Sequence, residues 1–246
     1  MLRFFRQLRQ RLLTENNYSK YLLYAVGEVF LIVVGILLAL YLDNLNDEKR
    51  ARQVEIKLLQ ELKSNLGSNL RILDRSLSTE LEYLSYNETI LDYLDNKKPY
   101  DEALERAFGV YFWTISTNPV KGGYDFLKSK GVDLITNDSL RKSISFIFEN
   151  EFSILKNENE VWSNNLQQNI SYPYHVKHFR RYYSSVNDTV VELAKPFDYN
   201  ALLQDDQFKS INAEIISNRK WNINTLRELI REMETLILQI DVELQN

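Results

Sequence analysis

Residues 21–42 read YLLYAVGEVFLIVVGILLALYL, a nearly continuous apolar run that contains one acid, Glu28. At the α-helical rise its length is about 33 Å, enough to cross the hydrocarbon core of a bilayer. A cleaved signal peptide is the competing reading. Its apolar region would be shorter, ~7–15 residues, and would end in a small-x-small cleavage site. Here the run closes on Ala39-Leu40-Tyr41-Leu42-Asp43 with no such site, so an uncleaved, single-pass signal-anchor is expected.

Charge gives the expected orientation. Residues 1–20 hold Arg3, Arg6, Arg9, Arg11 and Lys20 against Glu15, a balance of +4, and the chain total of −4 leaves −8 for the remainder. Basic flanks stay in the cytoplasm, so the N-terminus is expected there and residues 43–246 on the periplasmic or extracellular side. An acidic body lacks the clustered Lys and Arg that phosphate backbones need, which argues against nucleic acid as a partner. No cysteine is present, which agrees with the exported side without requiring it.

The expected organisation is a basic segment over 1–20, a membrane helix over 21–42 and an α-helical bundle over 43–246. Within the first part, residues 2–13 (LRFFRQLRQRLL) form an amphipathic helix if helical. That helix either lies in the lipid interface or serves only as a topology determinant. From Asp47 to Leu94 the pattern is strongly helical, with Leu59, Leu62, Leu66, Leu70, Leu73, Leu77, Leu81 and Leu84 at an eleven-residue period. No proline lies between Met1 and Lys98, so the membrane helix can continue unbroken into this rod.

Pro99 breaks the pattern. Helices are then expected over Asp101–Trp113, over Tyr124–Lys130 with Gly131 as a left-handed cap, and from Asn137 or Asp138 to about Asn169. The inner face of the last of these reads Leu140, Ile144, Phe148, Phe152, Leu155, Trp162 and Leu166. Residues 171–205 read as irregular. A final helix over Asp206–Leu244 carries Leu226, Ile230, Met233, Ile237, Ile240 and Leu244 in a 4-3 heptad seam, the pattern of a coiled coil. The fold class is all-α: a transmembrane helix continuing into an elongated bundle whose last helix packs back along the first.

Glu28 is the leading candidate for a functional residue. An ionised carboxylate at the bilayer centre costs about 2–3 kcal/mol on insertion scales, so a partner or a proton is expected. Gly35, Ala39 and Asn46 fall within about 20° of Glu28 around a helix axis, and Gly35-x-x-x-Ala39 is a small-xxx-small pair that permits close helix approach. One face thus combines a polar group with small residues, which suits a homo-oligomer or another membrane protein as partner. The alternatives are that Glu28 reaches the head-group region or lies on a proton or ion path.

His175 and His178 are the only histidines and fall short of a zinc set, so they read as surface residues. Tyr172 and Tyr174, together with His175, His178, Arg180 and Arg181, make a mixed aromatic and basic stretch. It reads as rings packed on the bundle or as a ligand surface. No phosphate loop, nucleophile elbow or triad spacing occurs. The expectation is therefore a non-enzymatic membrane-anchored scaffold or accessory subunit without cofactor or metal, with lipid and a membrane helix as partners. A periplasmic ligand-binding or sensory module acting through a separate transducer is the alternative.

The string ENNYSKYLLYAVGEVFLIVVGILLALYLDNLNDEKR, residues 15–50, resembles the start of an uncharacterised Bacteroidetes-type family of single-span membrane proteins. That family shows YLLYAxGE, an apolar run with GILIAL and an Asn-rich exit, here Tyr21–Glu28, Gly35–Leu40 and Asp43–Asn46. Residues 124–145, YDFLKSKGVDLITNDSLRKSIS, are similar to its Tyr-x-x-Leu-x-x-x-Gly segment. Leu45 stands where tryptophan is usual. The resemblance implies inner-membrane residence and a mostly helical periplasmic part, and brings no activity with it.

Overall fold

A computed structural model describes residues 18–186 and 188–245. The basic segment over 2–13 lies outside them. The chain divides into two compact units, Met1–Glu55 and Ile56–Asn246. The fold is mostly α. Helix α1 covers Tyr18–Asp95 without interruption, as the absence of proline allows.

The second unit follows α1 with α2 (Leu104–Val110), α3 (Gly122–Lys130) and a 3-10 turn at Val132–Leu134. Next comes a run over 138–178, in which α4 (Asp138–Ser145), α5 (Phe152–Ile154), α6 (Val161–Leu166) and α7 (Tyr172–His178) are joined by three π-helical stretches. An antiparallel hairpin of β1 (Phe179–Val186) and β2 (Thr189–Pro196) leads through α8 (Tyr199–Leu202) to α9 (Asp206–Gln245).

Asn137 caps α4, its side chain accepting from the Leu140 N–H. Gly131 ends α3 at φ 111° and ψ 128°, outside the left-handed helical region expected of it but still in backbone space that favours glycine. The segment 101–113 is helical only over Leu104–Val110.

The buried line on α1 differs from the leucine count. Leu59, Leu62, Leu66, Asn69, Leu73, Ser76, Glu80, Asn87, Ile90 and Leu94 are buried, whereas Leu81 is 40% exposed. With half-buried Tyr83 filling the remaining step, the seam is a 4-3 heptad, not an eleven-residue repeat. On α9 the matching line runs Arg219, Asn222, Leu226, Leu229, Met233, Leu236 and Ile240. Leu229 and Leu236 occupy the core positions assigned from sequence to Ile230 and Ile237, which pack at its edge.

Two apolar cores result. One joins Leu59–Leu73 of α1 to Leu226–Ile240 of α9, with Tyr124, Leu127 and the inner side of α4 and α5 between them. The other joins Ile90 and Leu94 to Phe208–Ile215, with α2, Tyr174 and Phe179 filling the gap. The contacts order α1 and α9 antiparallel, and the ion pairs Lys63–Asp241, Lys220–Glu88 and Lys209–Asp95 lie along the same seam.

The π stretches re-aim the 138–178 run. Each widened turn shifts the phase of the side chains that follow it. As a result Leu140, Ile144, Phe148, Phe152 and Leu155 face inward as the helical count requires, but Trp162 is turned out, 61% exposed. Asn159, Glu160 and Ser163 are buried in its place.

Candidate functional site

Between the two apolar cores, α1 and α9 meet through polar side chains. Arg219 of α9 is 3% exposed. Its Nη1 donates to Glu80 Oε2 at 2.7 Å and its Nε to Asn87 Oδ1 at 2.8 Å. Nη2 donates to the Trp113 carbonyl at 2.7 Å and to the Tyr111 carbonyl at 3.1 Å, beyond the end of α2. The guanidinium also lies 5.0 Å from the Tyr83 ring centre. One planar group thus fixes α1, α9 and the segment after α2 at a single point.

The network extends on both sides. Asn87 Nδ2 donates to Asn212 Oδ1 at 2.7 Å, and Asn212 Nδ2 returns a bond to the Asn87 carbonyl at 2.7 Å. Asn222 Nδ2 donates to Ser163 Oγ at 3.1 Å and to Glu80 Oε1 at 3.3 Å. Glu160 accepts from the Thr117 N–H and hydroxyl, both at 2.6 Å, and from Ser116 Oγ at 3.1 Å. Burial pulls the Arg219 guanidinium down, and the Glu80 charge opposes that shift. A buried pair of this kind is weak as net stabilisation, but it is costly to break one partner at a time. Its chemical capacity is to lock helix register.

The aromatic stretch forms the second core. Tyr174 is 6% exposed and His175 2%, so neither offers a ligand surface, and His175 is not the surface residue read from sequence. The His175 ring stacks on Phe179 at 5.1 Å and tilts against Phe112 at 4.6 Å. Tyr174 stacks on His178 at 4.2 Å and donates to Asp205 Oδ2 at 2.6 Å. Tyr172 and Arg180 stay exposed. Arg181 lies 5.2 Å from the Phe112 ring and pairs with Glu192 at 2.7 Å.

Burial, with the charge of Arg181 adding to it, pushes the His175 imidazole down to about 4, and neither ring nitrogen has a hydrogen-bond partner. The unfolded chain binds this proton near pH 6.5. Stability from the neutral ring is therefore complete above about pH 6.5 and is lost as pH falls toward 4, by about 3 kcal/mol over that window. Asp205, held low by Tyr174 and the Phe208 N–H, adds its loss only below the usual aspartate range. His175→Phe is expected to flatten the slope of unfolding free energy between pH 6.5 and 4, measured by urea titration.

On α1 the candidate packing face is exposed at Gly35, Ala39 and Asn46. Among the described residues, one helix is long and apolar enough to cross a membrane, with an 18-residue window of mean hydropathy 2.5 and none of it buried. Glu28 on the same face is half-buried. A Cβ on Gly35 would meet nothing within 4 Å. No group of three or more histidine, cysteine or acidic side chains able to hold a metal occurs among the described residues.

The sequence reading passes over Glu160, Arg219 and Asn222. It takes Glu80 with Glu82 as a solvated face and Asn87 only as part of an Asn-Glu-Thr sequon, yet Glu80 and Asn87 are buried. The available signal was their place in the heptad: Glu80 and Asn87 fall seven apart on the line that continues Leu59, Leu66 and Leu73.

No curated protein and no solved structure matches the chain. A model described as a family of unknown function (DUF6090) matches residues 28–191, from Glu28 through α1 and the 138–178 run into β2. With two thirds of its length matched, the chain belongs to that uncharacterised family, DUF6090.

Proposed function

We propose that this protein is a non-enzymatic scaffold or accessory subunit anchored in a bacterial inner membrane by one span, with its N-terminus cytoplasmic and its bundle periplasmic. The supporting observation is α1 itself. Its apolar stretch carries exposed Gly35 and Ala39 on the same helix face as half-buried Glu28, and the same helix supplies Leu59–Leu73 to the core of the Ile56–Asn246 bundle. Small residues let a second helix approach, and a carboxylate in lipid gains from a partner there. The +4 leader before the run supports the orientation.

Gly35→Leu puts a bulky side chain into that contact, and Glu28→Ala removes its polar group. Each is expected to reduce chemically crosslinked oligomers in native membranes by about tenfold, the effect of losing ~1.4 kcal/mol of association. Wild-type crosslinking in both variants would remove the basis for assembly through the span. The alternative, a ligand-binding sensory module, has one feature in its favour. An open cleft of about 610 Å³ lies among Lys97, Lys98, Tyr100, Lys195 and Tyr199, and Lys195 is the cross-strand partner of Arg180.

A further inference from the structure

Next to the Arg219–Glu80 pair lies a cavity of about 20 Å³, bordered by Ser76, Glu80, Asn159, Glu160, Ser163 and Asn222. About 10–15 Å³ of such space holds one water molecule. Two of the bordering side chains carry a polar atom with no protein partner: Asn159 Nδ2 and Asn222 Oδ1. Both residues are more than nine-tenths buried, at 2% and 7% exposure.

Their amide orientations are fixed by the rest of the network. Asn159 Oδ1 accepts from Trp221 Nε1 at 3.1 Å, which leaves its NH2 toward the interior. Asn222 spends its NH2 on Ser163 and Glu80, which leaves its carbonyl oxygen. The cavity therefore shows one orphaned donor and one orphaned acceptor, with carboxylate oxygens of Glu80 and Glu160 beside them. Leaving either amide atom unpaired in the interior costs about 1–3 kcal/mol.

We propose that this cavity is a binding site for a single structural water. The water accepts from Asn159 Nδ2 and donates to Asn222 Oδ1 and to a neighbouring carboxylate. The charge pattern selects this ligand. An anion would face two carboxylates, and an alkali cation would face the Asn159 NH2 group. Only a molecule that both gives and takes hydrogen bonds satisfies every bordering atom. The site ties the 138–178 run to α1 and α9 at the level where the two apolar cores separate, so hydration is part of the joint rather than a defect in it.

A crystal structure of the unaltered full chain, at a resolution that shows ordered solvent, tests this directly. A second crystal soaked in a rubidium salt accompanies it. The expected result is one peak within hydrogen-bonding distance of both Asn159 Nδ2 and Asn222 Oδ1, without rubidium anomalous signal. Anomalous signal there would show a cation site and overturn the proposal. So would a cavity with no density, or one closed by rotation of either amide onto a protein partner. None of these outcomes depends on whether the span self-associates.

Discussion

Arg219→Ala is expected to destabilise the Ile56–Asn246 unit by about 3–5 kcal/mol, the cost of leaving a buried partner charge uncompensated. Four acceptors each lose a bond together: Glu80, Asn87 and the carbonyls of Tyr111 and Trp113. Of these, Glu80 keeps Asn222 and the Tyr111 carbonyl keeps Asn87 Nδ2 as donors. For a unit of this size the loss corresponds to a fall in Tm of roughly 10 °C. Glu80→Gln should cost less, because the amide oxygen can still accept from Nη1 and the guanidinium keeps its three other acceptors. The Glu80→Ala, Arg219→Ala double variant should lose less than the sum of its singles, since the orphaned charge disappears with its partner. Restoration to wild-type stability is not expected, because Asn87 Oδ1 and the Trp113 carbonyl remain unpaired, although the Tyr111 carbonyl keeps its bond from Asn87 Nδ2 at 3.2 Å. Thermal unfolding of the full chain in mild detergent measures all four forms. Additive losses would show that Arg219 and Glu80 act independently.

Gly109→Ala should cost about 3 kcal/mol, near the upper end of overpacking effects. A Cβ at this position would stand 2.6 Å from the Glu192 carbonyl oxygen and 2.9 Å from its carbon. These are backbone atoms of β2, so no rotamer change relieves the clash. Strand and helix must separate, and that separation also pulls on the bond from Arg106 Nη1 to the same Glu192 carbonyl and on the one from Trp113 Nε1 to the Glu192 carboxylate. The urea midpoint is the readout. Gly67→Ala is the control: a Cβ at Gly67 of α1 meets nothing within 4 Å, and alanine favours the helix. A Gly109→Ala midpoint at or above wild type would contradict the close approach of α2 to β2.

Much of this architecture could be read from residue spacing, and the failures have physical causes. Long apolar periodicity located α9 and the C-terminal end of α1 to within a residue, and the start of α1 to within three, because most leucines and isoleucines beyond Ile56 mark the buried face. The polar layer stayed hidden for the same reason. Asn69, Ser76, Glu80 and Asn87 hold core positions, and a count of apolar residues drops them and stretches the repeat toward leucines at the edge. Trp162 was misplaced because a constant 3.6-residue turn cannot anticipate the two π stretches that precede it, Phe146–Glu151 and Leu155–Glu160. The hairpin escaped because its alternation is faint: Phe179 and Ala194 are its buried members, while Tyr183 and Val190 point outward. His175 reads from sequence as a surface residue because the spacing does not reveal a helix end there with its rings turned inward, whereas the burial of Tyr174 agrees with the reading of rings packed on the bundle.

The chain's lack of cysteine makes its membrane arrangement directly measurable. Single cysteines at Thr14 and at exposed Ser129 of α3, treated with a membrane-impermeant maleimide in intact spheroplasts, place the two ends of the account on opposite sides of the bilayer. Labelling of Ser129→Cys in intact spheroplasts is predicted, with Thr14→Cys reacting only after permeabilisation and the protein resisting carbonate extraction. Equal labelling of both positions without permeabilisation, the reverse pattern, or release of the full chain by carbonate would contradict a single membrane anchor holding this helical bundle outside the cytoplasm.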